Sequence, residues 1–395
     1  MRFRSTLLVV LLGIGLPFTA SAVRPADAQR VGAFAVNYPQ VVQERRGNPV
    51  GAIPGEFTMR LNGWGQRFDL QLSENEELLE NLPRNRRTAI NARGDAFWSG
   101  TIPGKPGSWV RMNRINGQYS GIFHDGQELY LLDAPDGFSL PQNQSVERSA
   151  SLLMRLSDLD IDWMIDHGGI PVDPLRPTPG RKPRRDADEF LSHLSSSIDA
   201  ATVPTSMPVT IVGDTEFFDD LGDSAESTVI ARVNMVDGLY SNQLGVGIVL
   251  WHYEQLTNNG PLTTTNAQNL LTQQFRSYMR DGAGSSLPFA GLAHLFSGKN
   301  FDGSTAGVAY LNVLCSRSAG YGVNENLRSS TTSALVFAHE LGHNFSASHS
   351  DSGIMRPSIG SSQDFSADSL AAMSNAVGRA SCLVDNFAIF SDGFE

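Results

Sequence analysis

The stretch His339-Glu340-Leu341-Gly342-His343-Asn344-Phe345-Ser346-Ala347-Ser348-His349 constrains this chain more than any other part of it. Residues 332–345 hold good helix formers and no proline, and Ser330 or Thr331 is available to cap the start. On such a helix His339 and His343 lie one turn apart on the same face, so both imidazoles reach one metal ion at about 2.0–2.1 Å. His349 comes six residues later, too far for that face, so the chain must turn back after the helix to supply it. Three His ligands leave the fourth position of a zinc ion open for water, the arrangement of a catalytic rather than a structural site. Glu340 falls beside the metal without ligating it, placed to take a proton from the zinc-bound water and pass it to a leaving amine. His-Glu-x-x-His alone arises by chance in core helices. The third His and the following Met355 separate this stretch from that bland case.

The first residues read as an export signal. Arg2 and Arg4 precede an apolar run from Leu7 to Phe18, and Ala20-Ser21-Ala22 forms a small-residue cleavage site, which predicts cutting after Ala22. The competing reading is a buried N-terminal helix. The run is too short to span a bilayer and no later segment is long enough either, so no membrane span is expected and the mature chain reads as secreted. Residues 201–395 carry 8 Lys and Arg against 18 Asp and Glu, a balance that argues against nucleic-acid partners and anionic lipid. The two cysteines, Cys315 and Cys382, would form one disulfide in an exported chain, the alternative being two buried thiols.

Along the chain, Phe57–Leu61, Arg67–Leu72, Ser108–Met112 and Glu128–Leu132 alternate apolar and polar residues as half-buried strands do. Pro171, Pro174, Pro177, Pro179 and Pro183 then lie among Arg181, Lys182, Arg184 and Arg185, which predicts an exposed linker open to processing proteases or serving only as a spacer. Beyond it the texture is α/β. Strands are expected at 209–212, 247–251, 290–296 and 305–314, and helices at 225–240 and 266–279, the latter with Leu270, Leu271, Phe275 and Tyr278 at helical spacing. His124, His167, His193, His252 and His294 have no ligand spacing and read as surface or core histidines. Asn344-Phe345-Ser346 matches a glycosylation sequon by accident of the motif around it.

Residues 339–349 resemble the metzincin motif, and Met355 in Ser352-Gly353-Ile354-Met355 resembles its Met-turn. Within metzincins the likeness is to the adamalysin (reprolysin) group. Gly298 to Tyr310, with Cys315 five residues on, resembles that group's substrate-binding edge strand, so Gly307, Val308 and Ala309 are the implied substrate contacts. Phe365 to Cys382 resembles its final helix and closing cysteine. The likeness implies an α/β catalytic domain over 206–385, a five-stranded mixed sheet with two long helices, acting on protein or peptide substrates with one zinc. Residues 31–135 resemble the family's propeptide. The expected organisation is a signal peptide at 1–22, a β-rich propeptide-like domain at 23–170, the linker at 171–205, the catalytic domain, and a tail at 386–395.

Several positions depart from the family pattern. Ser346 replaces the glycine whose positive φ turns the chain toward the third ligand. Ser350 follows His349 where adamalysins carry Asp. Arg356-Pro357 removes the tyrosine ligand of astacins and serralysins. Gly291 stands where a calcium-binding Asp is common, so a calcium site is not expected, and the propeptide region has no cysteine for a cysteine switch. Two functions compete: a secreted zinc endopeptidase, and a non-catalytic binding or adhesion module that keeps the fold. Glu340 favours the first, since a pure binding module needs no base there.

Overall fold

The computed structural model describes residues 34–36, 40–42, 45–47, 55–80, 82–140, 146–147, 150–160, 168–172, 205–358 and 364–385. The expected signal peptide, most of the Pro/Arg-rich stretch with its flanks, His167, His193 and the tail lie outside these residues.

The alternating segments near the start build a nine-stranded antiparallel sheet. Its spatial order is Gln40–Val42, Ser151–Arg155, Leu129–Asp133, Gln118–His124, Trp109–Ile115, Ala96–Thr101, Gln66–Glu74, Phe57–Gly63 and Arg45–Gly47. Period-two patterning puts Met59, Leu61, Phe68, Leu70 and Leu72 on one face, where they bury with Phe123 and Leu153. Trp109, Ile122, Leu131 and Leu152 point to the other face and enter a second core.

The C-terminal half carries its own sheet: β1 (Ile170–Pro171), β2 (Thr205–Gly213), β3 (Gly247–Gln255), β4 (Leu292–Ser297), β5 (Gly307–Leu311), β6 (Tyr321–Glu325) and β7 (Val384–Asp385). The order is β1-β5-β6-β4-β2-β3, with β7 pairing β2. The strands β3, β2, β4 and β6 run parallel, and β5 is antiparallel to β6. The sheet therefore has seven strands where five were expected. The two extra ones, β1 and β7, are two residues each, too short to leave a periodic signature. The strand β6 also gave no signal, because it is buried along its whole length and does not alternate.

Two long helices lie against this sheet, α1 (Ala225–Leu244) and α2 (Ser330–Asn344), followed by α3 (Ala367–Val377). The cap of α2 is Ser329 rather than Ser330 or Thr331, since its Oγ accepts from the Thr332 amide at 3.0 Å. The helix expected at 266–279 is split into Ala267–Asn269, a wider π-wound stretch Leu270–Phe275, and Arg276–Asp281. The i, i+5 step from Leu270 to Phe275 suits the wider winding, and both side chains are fully buried. Cys315 and Cys382 are joined, with Cα atoms 5.4 Å apart.

Candidate metal centre and cleft

Helical spacing on α2 sets the rings of His339 and His343 with centroids 4.8 Å apart. After α2 the chain turns back at Ser346, whose φ of 86° is the left-handed value expected of the glycine it replaces. Two amides close the turn: Ser346 N–H donates to the His343 carbonyl and Ala347 N–H to the Gly342 carbonyl, both at 2.9 Å. The His349 ring arrives 5.2 Å from that of His339 and 5.1 Å from that of His343. One potential donor atom from each imidazole then lies within 4.8 Å of the others.

The donor chemistry of this cluster suits zinc. The Nδ1 of His339 is 2.8 Å from the Ile354 carbonyl, and that of His343 is 2.7 Å from the Ala347 carbonyl. A carbonyl only accepts, so each Nδ1 carries the proton and each Nε2 carries the lone pair a metal needs. These two backbone groups were not legible in the sequence. One belongs to the Ser346 turn and the other to the segment ending in Met355. Met355 is fully buried, its sulfur packed where a side chain on Gly342 would otherwise stand.

Glu340 is fully buried on the same helix and faces β5. A Cβ added at Gly307 would lie 2.5 Å from Glu340 Oε1, so only glycine lets the strand approach this closely. Gly307, Val308 and Ala309 pair with β6 on one side. Further along, Tyr310 and Leu311 pair in parallel with Ile170 and Pro171 of β1. The residues before β1 pass over the histidines. A Cβ on Gly169 would lie 2.9 Å from the His343 ring, and one on Gly168 would lie 3.8 Å from His349.

Behind the three histidines, Tyr240 of α1 donates to the Ala338 carbonyl at 2.8 Å. Burial raises its phenol pKa well above the ordinary value, and the nearby Glu340 charge adds to this. Asn344, far from being a surface sequon, is fully buried. Its amide donates to the carbonyls of Tyr310 and Tyr321 at 2.8 and 3.2 Å, and its Oδ1 accepts from His294 Nε2 at 2.8 Å. His294 is thus a core histidine that links β4 to α2, and burial lowers its pKa to about 4. Of the other bland histidines, His124 stacks on Trp109 and His252 sits 3.3 Å from Glu254. Gly291 packs against Met207, the Pro208 carbonyl and Cys382.

Residues 204–379 match the family described as Reprolysin_5, Metallo-peptidase family M12. Disintegrin and metalloproteinase domain-containing protein 22 of Mus musculus is 27% identical over 315 residues, covering 76% of this chain and 34% of that protein. Zinc metalloproteinase-disintegrin-like brevilysin H2a of Gloydius brevicauda is 41% identical over 58 residues, 14% of each chain. Among solved structures, metalloproteinase-II from Bacteroides fragilis superposes on 81% of this chain and 91% of its own, at 12% identity and a TM-score of 0.48. The chain spans between about a third and two fifths of the length of the curated relatives that it matches over some 315 residues.

Proposed function

Residues 204–379 make this chain a member of the reprolysin-like metallopeptidases of family M12, and on that premise we propose that it is an exported, zinc-dependent endopeptidase made in latent form. The observation that carries the reading is the convergence of three imidazoles, two with their tautomers set by carbonyls, beside a buried carboxylate that faces a glycine of β5.

His339, His343 and His349 would hold the ion. Zinc, when bound, supplies Lewis-acid polarisation of the scissile carbonyl and a lowered pKa for water. The chain's own residues do the rest. An extended substrate pairs its backbone with β5 near Gly307, Val308 and Ala309, which gives affinity with little sequence selectivity. Glu340, held at the cleft by its helix, takes the proton of the attacking water and returns it to the leaving amine. Its burial keeps that proton transfer away from bulk solvent.

Latency fits the same geometry. The segment 168–172 would then block the proposed substrate path, a reading supported by the pairing of β1 beside the proposed contact residues and by the approach of Gly168 and Gly169 to two of the three histidines. With no cysteine before residue 315, the block is a backbone cover rather than a thiolate on the metal. Cutting in the basic stretch 181–187 would free one end of the cover. The test is peptide-library cleavage by exported protein cut at that stretch, with and without chelator. Absence of any chelator-sensitive cleavage after cutting would sink the reading and leave the non-catalytic alternative.

A further inference from the structure

The contact between the N-terminal sheet and the C-terminal half has the anatomy of a protein interior. A helix on a protein surface keeps a polar face toward water, yet 16 of the 20 residues of α1 are buried. One side of α1 packs on β3 and α2, and the other on the strand Trp109–Ile115. A single apolar cluster runs through the junction, joining Trp109, Ile122 and Leu131 to Val233, Val236 and Phe337. The backbone of α1 comes so near that a Cβ on Gly238 would lie 2.7 Å from the Trp109 ring.

Polar groups of α1 find their partners across this junction. Asn234, fully buried, accepts from Asn75 Nδ2 at 2.9 Å and donates to Asn113 Oδ1 at 2.8 Å. Asp237 accepts from Arg111 at 2.7 Å. Ser227 donates to Asp95 at 2.6 Å and accepts from Arg93 at 2.9 Å. The N-terminal sheet also reaches the metal-bearing helix itself. Asp133 Oδ2 accepts from the Ser329 hydroxyl at 2.8 Å and from the Thr331 amide and hydroxyl at 2.9 Å each. A carboxylate there satisfies the Thr331 amide, one of the first-turn amides without a partner within the helix, and complements the helix dipole.

We infer that the N-terminal sheet is not shed on activation but stays as a permanent, non-covalent subunit on α1 and the start of α2. Both halves are acidic, so net charge opposes their association. The shared apolar cluster and the matched buried polar pairs hold them, as in an obligate interface. Among the described residues, the part that leaves the cleft is then the short cover at 168–172. This inference is independent of catalysis and stands or falls on association alone.

The test uses the full exported chain with one specific protease site placed in residues 181–187. The folded protein is cut to completion, diluted about a hundredfold, and passed through size exclusion with mass measurement and denaturing gels on each fraction. The expected result is a single species at the mass of the uncut chain, holding both fragments one to one until denaturant is added. Recovery of the fragments apart, whether the C-terminal piece emerges folded or precipitates, would overturn the inference.

Discussion

A single carbon added to Gly307 of β5 would come within 2.5 Å of Glu340 Oε1 on α2. The strand proposed to bind substrate and the proposed base are therefore set against each other with no side chain between them. Gly307→Ala should keep the fold and the metal but push the carboxylate or the strand aside. Misplacement of about 1 Å at a reacting group costs about 10²-fold. Steady-state kinetics on cut protein should show that loss mainly in kcat, and an unaltered kcat would separate Gly307 from the chemistry.

Glu340→Gln should retain one zinc per chain and lose about 10²–10⁴-fold in turnover, because an amide takes up no proton. His343→Ala is the matching control, with zinc content falling well below one equivalent by metal analysis. Undiminished zinc in that control would remove His343 from the ligand set.

The cover over the cleft predicts that a chain resistant to cutting stays latent. With Arg181, Lys182, Arg184 and Arg185 replaced by Ala, the exported protein should cleave peptides far more slowly than the cut form. Adding Gly169→Val to that uncuttable chain should restore part of the activity, since the new side chain collides with the His343 ring and lifts the cover. Equal activity in cut and uncut protein would leave residues 168–172 without an inhibitory role.

His294 titrates near pH 4 when folded, because burial disfavours its charged form, against about 6.5 when unfolded. Between those values the unfolded chain binds the extra proton, so stability falls as pH drops from 6.5 to 4, by about 3 kcal/mol in all. Urea unfolding of metal-free wild type and His294→Gln across that window should give a shallower pH dependence in the variant. Parallel curves would refute the assignment.

The pairing of His339 with His343 was legible because i, i+4 spacing on one helix is a local property, and so was the β-rich texture of the first half. What holds these histidines was not. The carbonyls of Ile354 and Ala347 that set the imidazole tautomers are backbone atoms with no residue signature. Asp133 meets the start of α2 from 196 residues away in sequence and looks in isolation like any strand-end carboxylate. The cover at β1 is invisible for a different reason, since two residues cannot display a period. His294 was read as bland from its lack of ligand spacing. Only the fold shows it wedged between β4 and α2.

Ser346 has a consequence for how the metal-free chain opens. Left-handed backbone costs a residue with a Cβ about 1–2 kcal/mol, and here that cost falls on the turn that delivers His349 and holds the Ala347 carbonyl against His343. On the proposed metal assignment a bound ion would hold this turn closed, while relaxation of Ser346 would pull it apart. Without metal, residues 345–350 should therefore exchange their amide hydrogens sooner than α2 just before them, and zinc should slow that exchange more than Ser346→Gly does. The turn would be the first place where the empty protein comes undone, and the last to set when the metal arrives.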